Sequence, residues 1–215
     1  MNMKLGHINV RPFVLTVQEF PEKTEFIQKH LRSVGIEAEE FPCICAYDPK
    51  TKELVSGLET RHTYDVDNPN EHFHIGPKPT ALCVSFQMFW TAAMFMPDDY
   101  FYFIEWDAHF HDNWKARAEQ ALRDVPPDFD FLFLGSCCCK DRPKTHIKGE
   151  VYEVRWPMCN HAQIIARKAM PTLLRTQRKI YAPADISLAF HAFPHLKVYT
   201  LLPRCADQFS TIIPP

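Results

Sequence analysis

Glycine is scarce in this chain: six residues in 215, at positions 6, 35, 57, 76, 135 and 149, with no two closer than 14 apart. That spacing excludes a Gly-x-Gly-x-x-Gly dinucleotide fingerprint and a Walker-type phosphate loop. A chain that handles nucleotides without them must hold the phosphates in another way. There is also no Cys-x-x-Cys pair of the zinc-binding kind. The eight cysteines (43, 45, 83, 137, 138, 139, 159 and 205) are too few and too irregularly spaced for a secreted disulfide framework. They are expected to be buried, inert thiols, the run Cys137-Cys138-Cys139 included. The most apolar stretch, residues 81–96, contains Ser85, Gln87 and Thr91 and is too short and too polar to span a bilayer. The N-terminus lacks the apolar core and cleavage site of a signal peptide, so a reducing, cytoplasmic setting is expected.

A large net charge is missing too, since 24 Lys+Arg against 26 Asp+Glu leave −2. The small total hides an asymmetry. Residues 1–139 carry a net −9, residues 140–179 a net +7, and the last 36 residues balance. The basic block, with Lys140, Arg142, Lys144 and Lys148 followed by Arg175, Arg178 and Lys179, is a candidate face for an anionic acceptor. Solvated loop and helix charges are the plain alternative.

What is present is the composition of a globule, 46% hydrophobic and 23% charged, arranged as alternating strands and helices. Residues 12–17 (PFVLTV) read as a buried first strand. A helix follows from Pro21, with acids early, cations late and Gly35 as its stop. A second strand is expected over 41–47, a long buried helix over 79–96, a strand over 100–106 and a helix over 112–122. Further strands are expected at 130–135, 151–155 and 196–201, with a loop over 136–149, a helix over 159–175 interrupted or re-entered near Pro171, and a helix over 186–193. The whole chain reads as one α/β domain.

The sharpest local feature is FYFIEWD at 101–107. A strand suited to the middle of a sheet ends in Glu105 and Asp107, spaced i, i+2 and therefore on one side of an extended chain. In open α/β sheets ligands bind beyond the carboxyl ends of strands. Two acids there suit a divalent cation, Mg²⁺ or Mn²⁺, bridging a diphosphate, which would answer the missing glycines. His109, two residues on, is placed at the same site, whereas His72, His74 and His111 read as loop histidines. Acids that only end the strand in solvent are the alternative.

Taken together, the segments resemble glycosyltransferase family 25, the group of lipopolysaccharide-modifying enzymes and collagen galactosyltransferase domains. VLTV, QEFPEKTEFIQKHL and RSVGIEAEEF follow the family's opening order, up to Ala46-Tyr47-Asp48. ALCVSFQMFW keeps Cys83 and Ser85 of the next motif. Glu105-Trp106-Asp107-Ala108 stands at the Glu-Asp-Asp-Ala signature. PPDFDFLFLG, CNHAQIIARKAM and Pro183 to Asp185 echo the later motifs. Trp106 replaces the middle acid, Phe86 a histidine, and Gln163 and Ala166 the usual Tyr and Ser.

The resemblance spans nearly the whole chain and implies a GT-A fold. That means a Rossmann-type, mixed and mostly parallel sheet flanked by helices, with the nucleotide sugar and metal held by 1–139 and the acceptor by 140–215. It implies that Asp107 coordinates the metal and Glu105 approaches the donor's ribose or sugar. Thr16 and Val17 would lie by the nucleoside, Asp48 and Ser85 would line the donor pocket, and Asn160 and His161 would face the sugar. Asp185 would be the general base. The implied activity moves a sugar from a nucleotide diphosphate, expected to be a UDP-sugar, to a hydroxyl of a glycan, a lipopolysaccharide or a hydroxylated base in DNA. A base in DNA would have to be flipped out to react. The other classes open at this point are a nucleic-acid-binding module and a metal-dependent hydrolase or phosphotransferase.

Overall fold

A computed structural model describes residues 2–50, 53, 63–64, 72–73, 76–137, 144–180 and 182–209. In chain order its elements are β1 (Met3–Leu5), β2 (Ile8–Thr16), α1 (Pro21–Ser33), β3 (Glu39–Pro42), the two-residue strands β4 (Thr63–Tyr64) and β5 (His72–Phe73), and α2 (Pro77–Met94). Then come β6 (Tyr100–Ile104), β7 (Ala108–Phe110), α3 (Trp114–Asp124), β8 (Phe131–Cys137), β9 (Lys144–Lys148), β10 (Val151–Val154) and β11 (Met158–Ala166). The chain ends with α4 (Met170–Thr176), α5 (Ala184–Ser187) running on in irregular turns to His195, β12 (Val198–Leu201) and β13 (Ala206–Gln208). Among these residues no helix is long and apolar enough to cross a membrane.

Nine strands form one mixed sheet in the order β1-β2-β6-β11-β8-β12-β10-β9, with β3 also on β2. The α/β class is as expected. Parallel pairing is confined to β3–β2–β6 and to β8–β12, while β11 runs antiparallel between β6 and β8. The carboxyl ends of β2, β3, β6, β8 and β12 therefore share one edge, and β11 begins at that same edge.

Alternation along the strands sorts the core into two layers. Val14, Tyr102, Ile104, Leu132 and Leu134 pack with Ile27 and Leu31 of α1. Phe13, Leu15, Phe101, Phe103, Phe131 and Phe133 pack with Phe86 and Phe89 of α2. The aromatic layer is locked by edge-to-face contacts, Phe86–Phe103 at 4.9 Å among them. At the end of α1, Gly35 adopts φ +79°, which is strained for any residue with a Cβ, and the Ile36 amide donates back to the Leu31 carbonyl at 2.8 Å.

Three local expectations are corrected. Residues 159–169 are not the first part of a helix: β11 occupies 158–166, a single 3-10 turn covers Arg167–Ala169, and α-helix begins at Met170. Alanine, glutamine and methionine give CNHAQIIARKAM a helical look, but strand neighbours on both sides override that preference. Residues 144–148, expected in a loop, form edge strand β9. The second strand covers 39–42 rather than 41–47, which frees residues 43–47 to wall a cavity.

Candidate active site

Chain direction and layer change put an opening at one point. From β2 the chain passes through α1 on one face to β3; through α2, on the other face, it reaches β6 on the opposite side of β2. This is a topological switch point, where the connections diverge and leave a crevice beyond the strand ends. The crevice here is a cavity of about 710 Å³. Val17 follows β2 on its wall, Glu105, Trp106 and Asp107 follow β6, and Ser85 lies on the α2 side.

The two acids differ. Glu105 is half-buried and lines the cavity, and its backbone amide donates to the His161 carbonyl at 3.0 Å. Burial, then the neighbouring Asp107 and Asp185 charges, pushes its carboxyl up to about 8. Asp107 is 9% exposed. Gln208 donates to its Oδ2 at 3.3 Å, while Oδ1 is buried with no hydrogen-bond partner. Burial raises this carboxyl too, against opposing contributions from Gln208 and Lys23. A buried carboxylate oxygen without a donor is costly unless a ligand supplies positive charge or a proton.

Positive charge and flat rings stand opposite. Lys23, in the first turn of α1, lies 4.4 Å above the Trp106 ring and 4.8 Å from that of Phe20. Lys78, in the first turn of α2, lies 5.2 Å from the Tyr47 ring. All five residues line the cavity. Among the rings only Trp106 carries a signal in the sequence, as the departure from the Glu-Asp-Asp-Ala signature. For the lysines the available signal is a cation in a first helical turn, where the helix dipole disfavours it.

The other proposed site residues are placed as follows. Ser85 donates to the Ala81 carbonyl at 2.8 Å and accepts from the Ile44 amide at 3.0 Å, so its hydroxyl ties α2 to the cavity wall. Thr16 is buried, and its carbonyl accepts from the Cys43 amide. Asp48 follows Tyr47 outside the cavity wall and accepts from the Lys50 amide. Asn160 and His161 are buried at the start of β11 rather than on that wall, with Asn160 Oδ1 unpartnered. Asp185 lies close enough to raise Glu105, but both of its oxygens accept backbone amides, from Cys159 at 3.1 Å and Ile186 at 2.8 Å.

Two expectations fail on geometry. His109 is not with Glu105 and Asp107; its ring stacks on His30 at 5.0 Å and meets Phe209 at 4.8 Å. Among the described residues no group of three or more His, Cys, Asp or Glu side chains is arranged to hold a metal. Cys137 and Cys159 are not thiols: they form a disulfide with Cα atoms 5.6 Å apart, because β11 starts beside the end of β8.

His161 is held by structure. Burial pushes its imidazole down to about 4, and as a neutral ring it donates from Nε2 to the Ala206 carbonyl at 2.9 Å. The ring lies over Gly135, where an added Cβ would sit 2.4 Å from two of its atoms and 3.0 Å from the Ala206 oxygen. Gly135→Ala is expected to lower stability by about 1–3 kcal/mol, the cost of overpacking a dense core, measurable as a fall in urea midpoint without a change in slope.

The basic block is divided. Lys148 pairs with Asp124 of α3 at 2.8 Å. Arg178 lines a groove with Val84 and Gln87 of α2, on the opposite side of the sheet. Lys144, Arg175 and Lys179 are exposed. Lys140 and Arg142 lie outside the described residues, as does His74.

No protein-family model matches this chain, and no curated protein matches it. Among solved structures it is similar to the crystal structure of A197 from STIV, at 13% identity and a TM-score of 0.44, over 92% of this chain and 84% of that one.

Proposed function

We propose that this cavity binds a nucleotide-diphosphate sugar and that the chain transfers the sugar to an acceptor hydroxyl. The observation that carries the reading is Asp107, a buried carboxylate that lines a cavity of nucleotide size at the switch point and has one oxygen, Oδ1, without a hydrogen-bond partner. Trp106, Tyr47 and Phe20 offer ring faces for a base or sugar. The resemblance of the motif order to glycosyltransferase family 25 supports the same assignment.

The residues present fit a divalent cation of the magnesium or manganese kind, which is commonly held by one or two carboxylates plus substrate phosphates. Asp107 would be its chief protein ligand, with Glu105 beside it, and the cation would supply Lewis-acid help to the departing diphosphate. The chain's own part is positioning. Gln208 fixes the Asp107 carboxylate through Oδ2, and Ser85 fixes the 43–47 wall. Asp185, engaged by two backbone amides, anchors the start of β11 next to Glu105, so we assign it to positioning rather than to proton abstraction.

For the acceptor, the division of the described basic residues between the two faces favours a glycan over duplex DNA, which needs a continuous cationic track. The test is mass spectrometry of products after incubation with UDP- and GDP-sugars and Mn²⁺, using lipopolysaccharide, free glycans and hydroxymethylated DNA. A sugar-mass increment on a glycan is expected. Acceptor-independent breakdown of the donor would instead favour a hydrolase, and an increment on DNA alone would overturn the glycan assignment.

A further inference from the structure

Both long helices that open onto the cavity carry a lysine in their first turn, Lys23 in α1 and Lys78 in α2, and neither is ion-paired among the described residues. A cation at that end of a helix opposes the dipole, so each costs local stability that an aspartate would not. Both side chains rest on aromatic faces, Lys23 on Trp106 and Lys78 on Tyr47, which orients each ammonium without neutralising it. The partial positive charges of two helix starts thus converge with two full ones on a single cavity. Asp107, buried and with Oδ1 unpartnered, lines the same cavity and calls for positive charge there.

We propose that Lys23 and Lys78 grip the diphosphate of the donor from the two helix starts. They do the work that a glycine-rich loop does elsewhere and set the preference of the cavity for diphosphates over monophosphates. This rests on the nucleotide reading of the cavity given above. The lysines bind the anion directly, so discrimination between one and two phosphates persists without a divalent cation. Trp106 and Tyr47 hold the lysine ammonium groups while the cavity is empty.

The test is calorimetric titration of the full chain with UMP, UDP, GMP and GDP, with EDTA and then with Mn²⁺. The proteins are the wild type, Lys23→Met, Lys78→Met, the double variant and Lys23→Arg. Methionine keeps an unbranched apolar stem for the ring, and both lysines are exposed, so the fold is preserved. The wild type is expected to bind diphosphates about a hundred-fold more tightly than monophosphates in EDTA, as two charge-assisted contacts imply. Each methionine variant should lose about ten-fold for the diphosphate, the double variant should show a ratio near one, and Lys23→Arg should keep most of it. Unchanged diphosphate affinity in the variants, or an equal loss for mono- and diphosphates, overturns the lysine assignment and leaves the nucleotide reading standing. A wild type that binds none of the four nucleotides overturns both.

Discussion

Asp107→Asn is expected to lower sugar transfer by on the order of 10³ in kcat/KM, since several kcal/mol of transition-state charge stabilisation would be withdrawn. The substitution is nearly isosteric. The side-chain oxygen of asparagine still accepts from Gln208, which donates to Oδ2 at 3.3 Å in the native chain. What is lost is the negative charge and the unpartnered Oδ1. Burial disfavours the carboxylate in the empty protein, so the variant should melt no lower than the wild type. Loss of activity with retained stability is the signature of a functional rather than a structural acid. The check is paired kinetics and thermal melts, and a variant that keeps more than a tenth of the native rate would remove Asp107 from the chemistry.

Glu105→Gln should change stability more than any other substitution at the site, by an amount that grows with pH. The carboxyl titrates at about 8 in the folded chain against an ordinary 4.5, so the folded state holds this proton more tightly than the unfolded one. The stability it contributes is complete below pH 4.5 and is lost as pH rises through 8. At about 1.4 kcal/mol for each pKa unit, and discounted for partial exposure, the loss is on the order of 3 kcal/mol. Glutamine cannot ionise. In EDTA the wild type and the variant should therefore have similar stability near pH 5, with the variant clearly more stable at pH 9. Parallel stability curves over that range would mean that Glu105 titrates normally. Added Mn²⁺ should recover part of the wild-type loss at pH 9, because a cation beside Glu105 stabilises its charged form.

The carboxylate edge is legible in the sequence because YFYFIEWD joins a strand composition to acids at alternate positions, and both signals are local. The first helix and its stop are legible for the same reason, through Pro21 and Gly35. The start of β11 is not. Whether 158–166 is helix or strand depends on β6 and β8 lying on either side, which is tertiary information. The disulfide follows from that adjacency, which the irregular spacing of the cysteines in the sequence does not reveal. Lys23 and Lys78 are 55 residues apart and meet only through the switch at β2, so each reads in isolation as an ordinary surface cation. His109 shows the converse, since its closeness to Asp107 in sequence conceals that it packs against His30 instead.

Scarce glycine therefore fits a nucleotide cavity in which charged side chains replace a phosphate loop. The most direct measurement is a thermal-shift titration of the full chain with UDP-, GDP- and other nucleotide-diphosphate sugars in the presence of Mn²⁺. A ligand held only by the folded state stabilises it by about 2.7 kcal/mol at one hundred times its Kd. At least one of these donors should raise Tm by several degrees, with a saturable concentration dependence that weakens in Asp107→Asn. If none moves Tm at millimolar concentration, the cavity is not a nucleotide-sugar site and the proposed transferase activity is contradicted.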